Sequence, residues 1–232
     1  MNKIVDGKKW LEARRALLLE EKLHMQEMDK ITRKRQQLPW MQVTEDYVFQ
    51  GEQGEVSLAD LFNGHSQLVV YHFMFAPSWE QGCVSCSFWM DNVSGIEEHL
   101  AARDISFAAV SKAPIEKLAA FKKRMGWTIN WVSSFENGFN QDFNVSFGPD
   151  HDPDAAVFYN FNENGRNHDE EAHGASVFLK DENGEIFRTY STYGRGLEMI
   201  NLAYRYMDLT PKGRNEDAEG NPMAWLKYND SY

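Results

Sequence analysis

From Leu68 onward the chain alternates strand-length apolar runs with segments patterned for helix, and few architectures accommodate that order. Leu68 to Phe75 reads Leu-Val-Val-Tyr-His-Phe-Met-Phe, apolar enough for a strand central in a sheet. Cys86, Trp89, Met90, Val93, Ile96 and Leu100 then recur at helical spacing. Ile105 to Val110 is a second strand. Pro114 opens a helix with Ile115, Leu118, Phe121 and Met125 on one face and Gly126 as its stop. Ile129 to Ser134 is a third strand. Ser176 to Lys180 and Glu185 to Tyr190 flank Asp-Glu-Asn-Gly, a hairpin signal. Gly196 starts a last helix carrying Leu197, Ile200, Tyr204 and Met207. The order β-α-β-α-β, an insertion, then β-β-α predicts an α/β sandwich whose first half is largely parallel. Trp127 and Trp131 belong to its core.

Upstream, Trp10, Leu11, Ala13, Leu17, Leu18, Met25, Met28 and Ile31 form a rough apolar stripe among Glu, Lys and Arg. That pattern predicts a long helix over Asp6 to Gln37, ended by Pro39. So polar a helix needs a partner surface, either the main domain or a second chain in a homodimer. Tyr47 to Phe49 and Val56 to Phe62 suggest a short strand, a Gly-rich turn and a helical turn. Residues 1–40 thus form a helical extension and 41–232 one α/β domain. An insertion of about 147–174 precedes the hairpin. That insertion is acidic and rich in Asn, Asp and His, which suits a solvated excursion over the sheet edge. Asp150, Asp152 and Asp154 alternate as in a calcium loop, but its glycine and closing glutamate are missing and Pro153 intrudes.

The formal charge is −11, which repels phosphate backbones and argues against nucleic acid as partner. No run approaches the roughly 18 apolar residues of a membrane helix. The first residues, Met1-Asn2-Lys3-Ile4-Val5-Asp6, show no apolar signal core. The expected compartment is the reducing cytoplasm, where a close cysteine pair is more often redox-active or metal-binding than structural.

The chain has only two cysteines, Cys83 and Cys86, in the order Cys-Val-Ser-Cys. They follow the first apolar strand and open a helix. Backbone N–H groups at a helix start favour a thiolate. Cys83 is therefore the expected nucleophile, and Cys86, one turn in, the resolving thiol that closes a disulfide. Burial of both as small hydrophobes is the alternative, which Cys83 fits poorly because Gly82 and Ser85 beside it suggest an exposed turn. Zinc would need two further ligands, and only His168 and His173 have ligand-like spacing. No metal or other cofactor is expected. Pro77 and Trp79, in the loop before Cys83, are candidates to border a substrate-docking surface. Arg195, between Gly194 and Gly196, is a candidate partner for an anion or thiolate.

Longer segments carry a resemblance. They include Leu38-Pro39-Trp40, Gly82-Cys83-Val84-Ser85-Cys86-Ser87-Phe88-Trp89 and Val110-Ser111-Lys112-Ala113-Pro114. Arg124-Met125-Gly126-Trp127, Trp131-Val132-Ser133-Ser134, Thr189-Tyr190-Ser191-Thr192-Tyr193 and Asp208-Leu209-Thr210-Pro211-Lys212-Gly213-Arg214 extend it. The chain resembles, nearly end to end, the bacterial thioredoxin-like family catalogued as domain of unknown function 899. The resemblance implies a thioredoxin-like three-layer sandwich, here with a long N-terminal helix and the inserted loop region. It also implies dithiol-disulfide exchange on a disulfide-containing or oxidised substrate. A peroxide-reducing thiol enzyme and a non-enzymatic interaction module are the alternatives. Thioredoxins place a cis-proline before the hairpin strand, but Ala172-His173-Gly174-Ala175-Ser176 contains none. Peroxiredoxins place a Pro and a Thr before their reactive cysteine. Pro77 here is one residue too close, and no Thr separates it from Cys83.

Overall fold

A computed structural model describes residues 3–152, 156–165, 170–216 and 221–232. The chain divides into two compact units, Met1–Pro39 and Trp40–Tyr232. The first is a single helix, α1 (Gly7–Gln36). Its N-cap is Asp6, whose carboxylate accepts the Lys9 N–H at 2.9 Å. Arg33, Lys34 and Arg35 in the last turn complement the negative end of the helix dipole. None of its residues is buried.

The second unit opens with β1 (Met41–Gln42), β2 (Val48–Gly51) and β3 (Gly54–Ser57). Next come β4 (Gln67–His72), α2 (Val84–Met90), α3 (Glu97–Ala101), β5 (Ile105–Ser111), α4 (Ile115–Met125) and β6 (Asn130–Ser133). It continues through α5 (Phe139–Asp142), β7 (Val157–Tyr159), β8 (Asn162–Gly165), β9 (Gly174–Lys180), β10 (Ile186–Tyr193) and α6 (Leu202–Asp208). Eight strands form one sheet in the order β1-β10-β9-β4-β5-β6-β2-β3. β4, β5 and β6 run parallel, as the alternation predicts, whereas β9 and β10 pair antiparallel beside β4.

Side chains of the central strands alternate between two cores. Tyr71, Phe73, Ala109, Trp131 and Ala175 face α2, α4 and α6, which contribute Cys86, Trp89, Leu118, Phe121 and Tyr204. Leu68, Val70, Val110, Val132 and Phe178 face the other way, against Leu61, Phe62, Phe139 and Phe143. The sheet is thus the middle of three layers. Trp127 and Trp131 are both buried, in the core as the sequence suggests.

Three boundaries differ from the sequence pattern for identifiable reasons. β4 stops at His72 rather than Phe75 because β9 begins at Gly174, directly opposite His72. Beyond that point only the β5 side remains, where the Phe73 N–H reaches the Val110 carbonyl at 2.9 Å. The helical repeat from Cys86 to Leu100 is split into α2 and α3, with Gly95 at φ +90° in the turn between them. The last helix begins later than Gly196. Gly194 to Ile200 forms a 3-10 stretch, and Asn201 then caps α6 by accepting the Tyr204 N–H at 3.0 Å. The 147–174 segment also does more than cover an edge. It carries the β7–β8 hairpin, and its end returns to the core, where Glu171 and Ala172 are buried.

Candidate functional site

The first apolar strand delivers the cysteine loop to the end of the sheet. After β4 the chain stays pinned: the Cys83 N–H donates to the Met74 carbonyl at 3.0 Å, and the Ala113 N–H to that of Phe75 at 2.8 Å. Cys83 is the N-cap of α2, with extended backbone at ψ 129°. Its Sγ accepts the Cys86 N–H at 3.4 Å, a contact that favours a thiolate at that position. Both cysteines are thiols. Cys83 is half-buried and Cys86 buried.

The two sulfurs sit in different media. Burial pushes the Cys86 thiol well above the ordinary range, and the neighbouring Cys83 sulfur adds to this. A hydrogen bond from the Met74 backbone and the Tyr71 hydroxyl oppose that rise. Tyr71, from β4, is fully buried beneath the pair. Its hydroxyl has no standard hydrogen-bond partner among the described residues and lies against Cys86. Tyr159, in the β7–β8 hairpin, donates to the His173 carbonyl at 2.7 Å and accepts the Gly194 N–H at 3.1 Å. His173 immediately precedes β9, where thioredoxins keep their proline. Burial lowers its pKa, and its ring lies 6.4 Å from that of Trp89. None of Tyr71, Tyr159 and His173 is adjacent to the cysteines in sequence, and the strand order brings them there.

Gly82 corrects one expectation. It is buried, not part of an exposed turn. A Cβ there would lie 2.8 Å from Phe73 Cε1 and 3.0 Å from Phe121 Cε1, so close approach of the backbone to two rings requires glycine. Pro77 and Trp79 are half-buried, and Lys117 of α4 holds their loop by donating Nζ to both carbonyls, at 2.8 and 3.0 Å. Ala76 to Ser87 contains no Lys, Arg or His, and the fold supplies a cation from α4.

The C-terminal segment lies over the same region. The Tyr228 hydroxyl donates to the Gly82 carbonyl at 2.7 Å, and Asn229 donates to Asp91 at 2.8 Å. Arg124 grips Asp230 through two bonds, at 2.7 and 3.0 Å, and stacks on the Tyr228 ring at 4.8 Å. Trp225 packs edge-on against Phe88 of α2 at 5.7 Å. Arg195 is placed differently. Its side chain is 90% exposed, and its guanidinium is committed to Glu198 at 2.8 Å.

Among the described residues no group of three or more His, Cys, Asp or Glu could hold a metal ion. His168, Pro153 and Asp154, which bear on the zinc and calcium readings, lie outside the described residues. No helix among the described residues is long and apolar enough to cross a membrane.

A parallel β-α-β-α-β unit, an antiparallel pair beside its first strand, a closing helix and a cysteine pair at the first strand-to-helix junction define a thioredoxin-like α/β protein. The chain belongs to the family described as "Bacterial protein of unknown function (DUF899)", which matches it over residues 1–232. No protein of curated function matches it. Among solved structures it is similar to peroxidoxin BcpB from Mycobacterium tuberculosis, at 13% identity and a TM-score of 0.45, covering 73% of this chain and 97% of that one. It is also similar to a PrxQ mutant from Xylella fastidiosa, at 12% identity and TM-score 0.43, covering 72% and 95%. A candidate thiol:disulfide interchange protein DsbE from Chlorobium tepidum gives 15% identity and TM-score 0.39, covering 72% and 97%. None of these overlaps reaches 0.5, and the thioredoxin-like class stands on the topology itself.

Proposed function

We propose that the protein is a dithiol-disulfide oxidoreductase in which Cys83 is the nucleophile and Cys86 the resolving thiol. One observation carries this reading. Cys83 is half-buried at the start of α2 with the Cys86 N–H on its sulfur, while Cys86 lies buried one turn behind it.

The chemistry balances within the pair. The Cys83 thiolate attacks one sulfur of a substrate disulfide. The substrate S–S bond breaks, a mixed disulfide forms, and the first substrate sulfur leaves as a thiolate. Cys86 then loses its proton and attacks the Cys83 sulfur. The mixed disulfide breaks, and the second substrate sulfur leaves and takes up a proton. The substrate gains two electrons, and the Cys83–Cys86 pair ends as a disulfide. The buried medium around Cys86 disfavours its thiolate, and the Tyr71 hydroxyl lies where it offsets that cost. Pro77 and Trp79, on the loop held by Lys117, border the docking surface. Arg195, held by Glu198, is not needed.

The test is a Cys86→Ser variant incubated in extract. Disulfide-linked adducts should accumulate on Cys83 and vanish on adding dithiothreitol. Absence of adducts, with Cys83 alkylating like an ordinary thiol of pKa about 8.5, overturns the proposal. Rapid, stoichiometric oxidation of the reduced protein by one equivalent of peroxide would favour a peroxidase instead.

A further inference from the structure

We infer that α1 is the interface of a homodimer in which two copies of this helix pair antiparallel. The inference is independent of the thiol chemistry. α1 is a well-capped helix of 30 residues, yet none of them is buried. Helices in proteins draw most of their stability from packing of an apolar face, so an apolar stripe of this length calls for a covering surface. Trp10, Leu17, Leu18 and Met25 on that stripe are 59%, 50%, 38% and 61% exposed.

The charge order says what covers it. Residues 8–15 carry Lys8, Lys9, Arg14 and Arg15 against Glu12, a net of +3. Residues 20–29 carry Glu20, Glu21, Glu27 and Asp29 against Lys22, a net of −3. Ala16, Leu17, Leu18 and Leu19 separate the two blocks. A parallel partner copy would set like charge on like. An antiparallel copy, related by a two-fold axis beside Leu17 and Leu18, sets each basic block on the partner's acidic block. Arg14 and Arg15 then face the partner's Glu21 and Glu20, and Trp10 lies near the partner's Met25. Such an interface is self-complementary, as a two-fold dimer requires. Arg14 and Glu21 also lie two turns apart on one face and already bridge within the helix at 2.7 Å through Nη2. The acidic block in mid-helix makes a poor fit to an anionic membrane surface, the other place where an amphipathic helix with basic residues could lie.

Light scattering coupled to size exclusion tests this on the full chain. The wild type should elute at twice 26.8 kDa. Arg14→Glu with Arg15→Glu should give monomer, as should Glu20→Lys with Glu21→Lys. Mixing the two variants should restore the dimer mass, because each supplies the charge the other now lacks. That rescue separates an interface from misfolding or loss of the bridge within one helix. A monomeric wild type overturns the inference, whether or not it sediments with phosphatidylglycerol vesicles. So do variants that remain dimeric, and a mixture that stays monomeric.

Discussion

Tyr71 puts a hydroxyl under the inner thiol, and at this scale the proposed chemistry is most exposed to test. After the Met74 backbone, the hydroxyl is the neighbour that helps Cys86 toward its thiolate, against burial and the Cys83 sulfur. Removing it in Tyr71→Phe leaves the Cys83 surroundings in place. The expected result is an unchanged rate of mixed-disulfide formation but a severalfold slower release, because Cys86 loses the hydroxyl that favours its thiolate. Stopped-flow measurement of both phases would decide, and equal loss in both would mean that the tyrosine merely supports the fold. The cysteines themselves were legible, since spacing and position on a strand-to-helix junction are local properties. Tyr71, His173, Lys117 and Tyr228 were not. The Tyr228 hydroxyl reaches Gly82 across 146 residues of sequence, and no periodicity encodes such a contact. Gly82 misled for a related reason. Glycine signals a turn locally, but here it answers to Phe73 and Phe121, which come from distant elements.

Among the elements, those announced by periodicity were placed well, because apolar spacing and backbone hydrogen bonding act over the same short range. α4 starts after Pro114 and stops at Gly126, in the left-handed region at φ +72°, as its sequence signals require. Leu197, Ile200 and Tyr204 keep a helical period, so the sequence alone predicts one continuous last helix. The buried Asn201 interrupts it by offering a second N-cap. The C-terminal segment carried no signal, since its hold comes from Arg124, Phe121 and Gly82 rather than from its own pattern. Its position over the cysteine loop makes a prediction. Arg124→Ala should loosen the segment and speed Cys83 alkylation severalfold. The loss in global stability should be small, because solvent screens this exposed ion pair. Iodoacetamide kinetics beside a urea titration would show both. Unchanged alkylation would mean that the segment does not limit access to the sulfur.

Glu171 and His72 are buried on the sheet face away from the cysteines, and each makes the stability of the molecule depend on pH. Burial pushes Glu171 up to about 7 from a usual 4.5. The folded state therefore holds a proton that the unfolded chain has released, and stability falls as pH rises from about 4.5 to 7. Burial pulls His72 down to about 3 from 6.5. There the unfolded chain takes up the proton first, and stability falls as pH drops below about 6.5. Between about 4.5 and 6.5 the two slopes oppose, so these groups predict a plateau with losses on either side. Glu171→Gln should raise the unfolding free energy at pH 8, by on the order of 3 kcal/mol at most, seen as a higher urea midpoint, and the gain should close by pH 4.5. Equal midpoints at pH 8 would show that Glu171 ionises without strain. A last consequence concerns the margins of the sheet, which ends in β1, two residues long, and β3, four residues long. An incoming strand would find only a few backbone partners on either side, too few to offset the cost of ordering itself. The native protein is thus a poor template for ribbon growth, and its loss on ageing should follow unfolding of the whole unit rather than accretion of strand on strand.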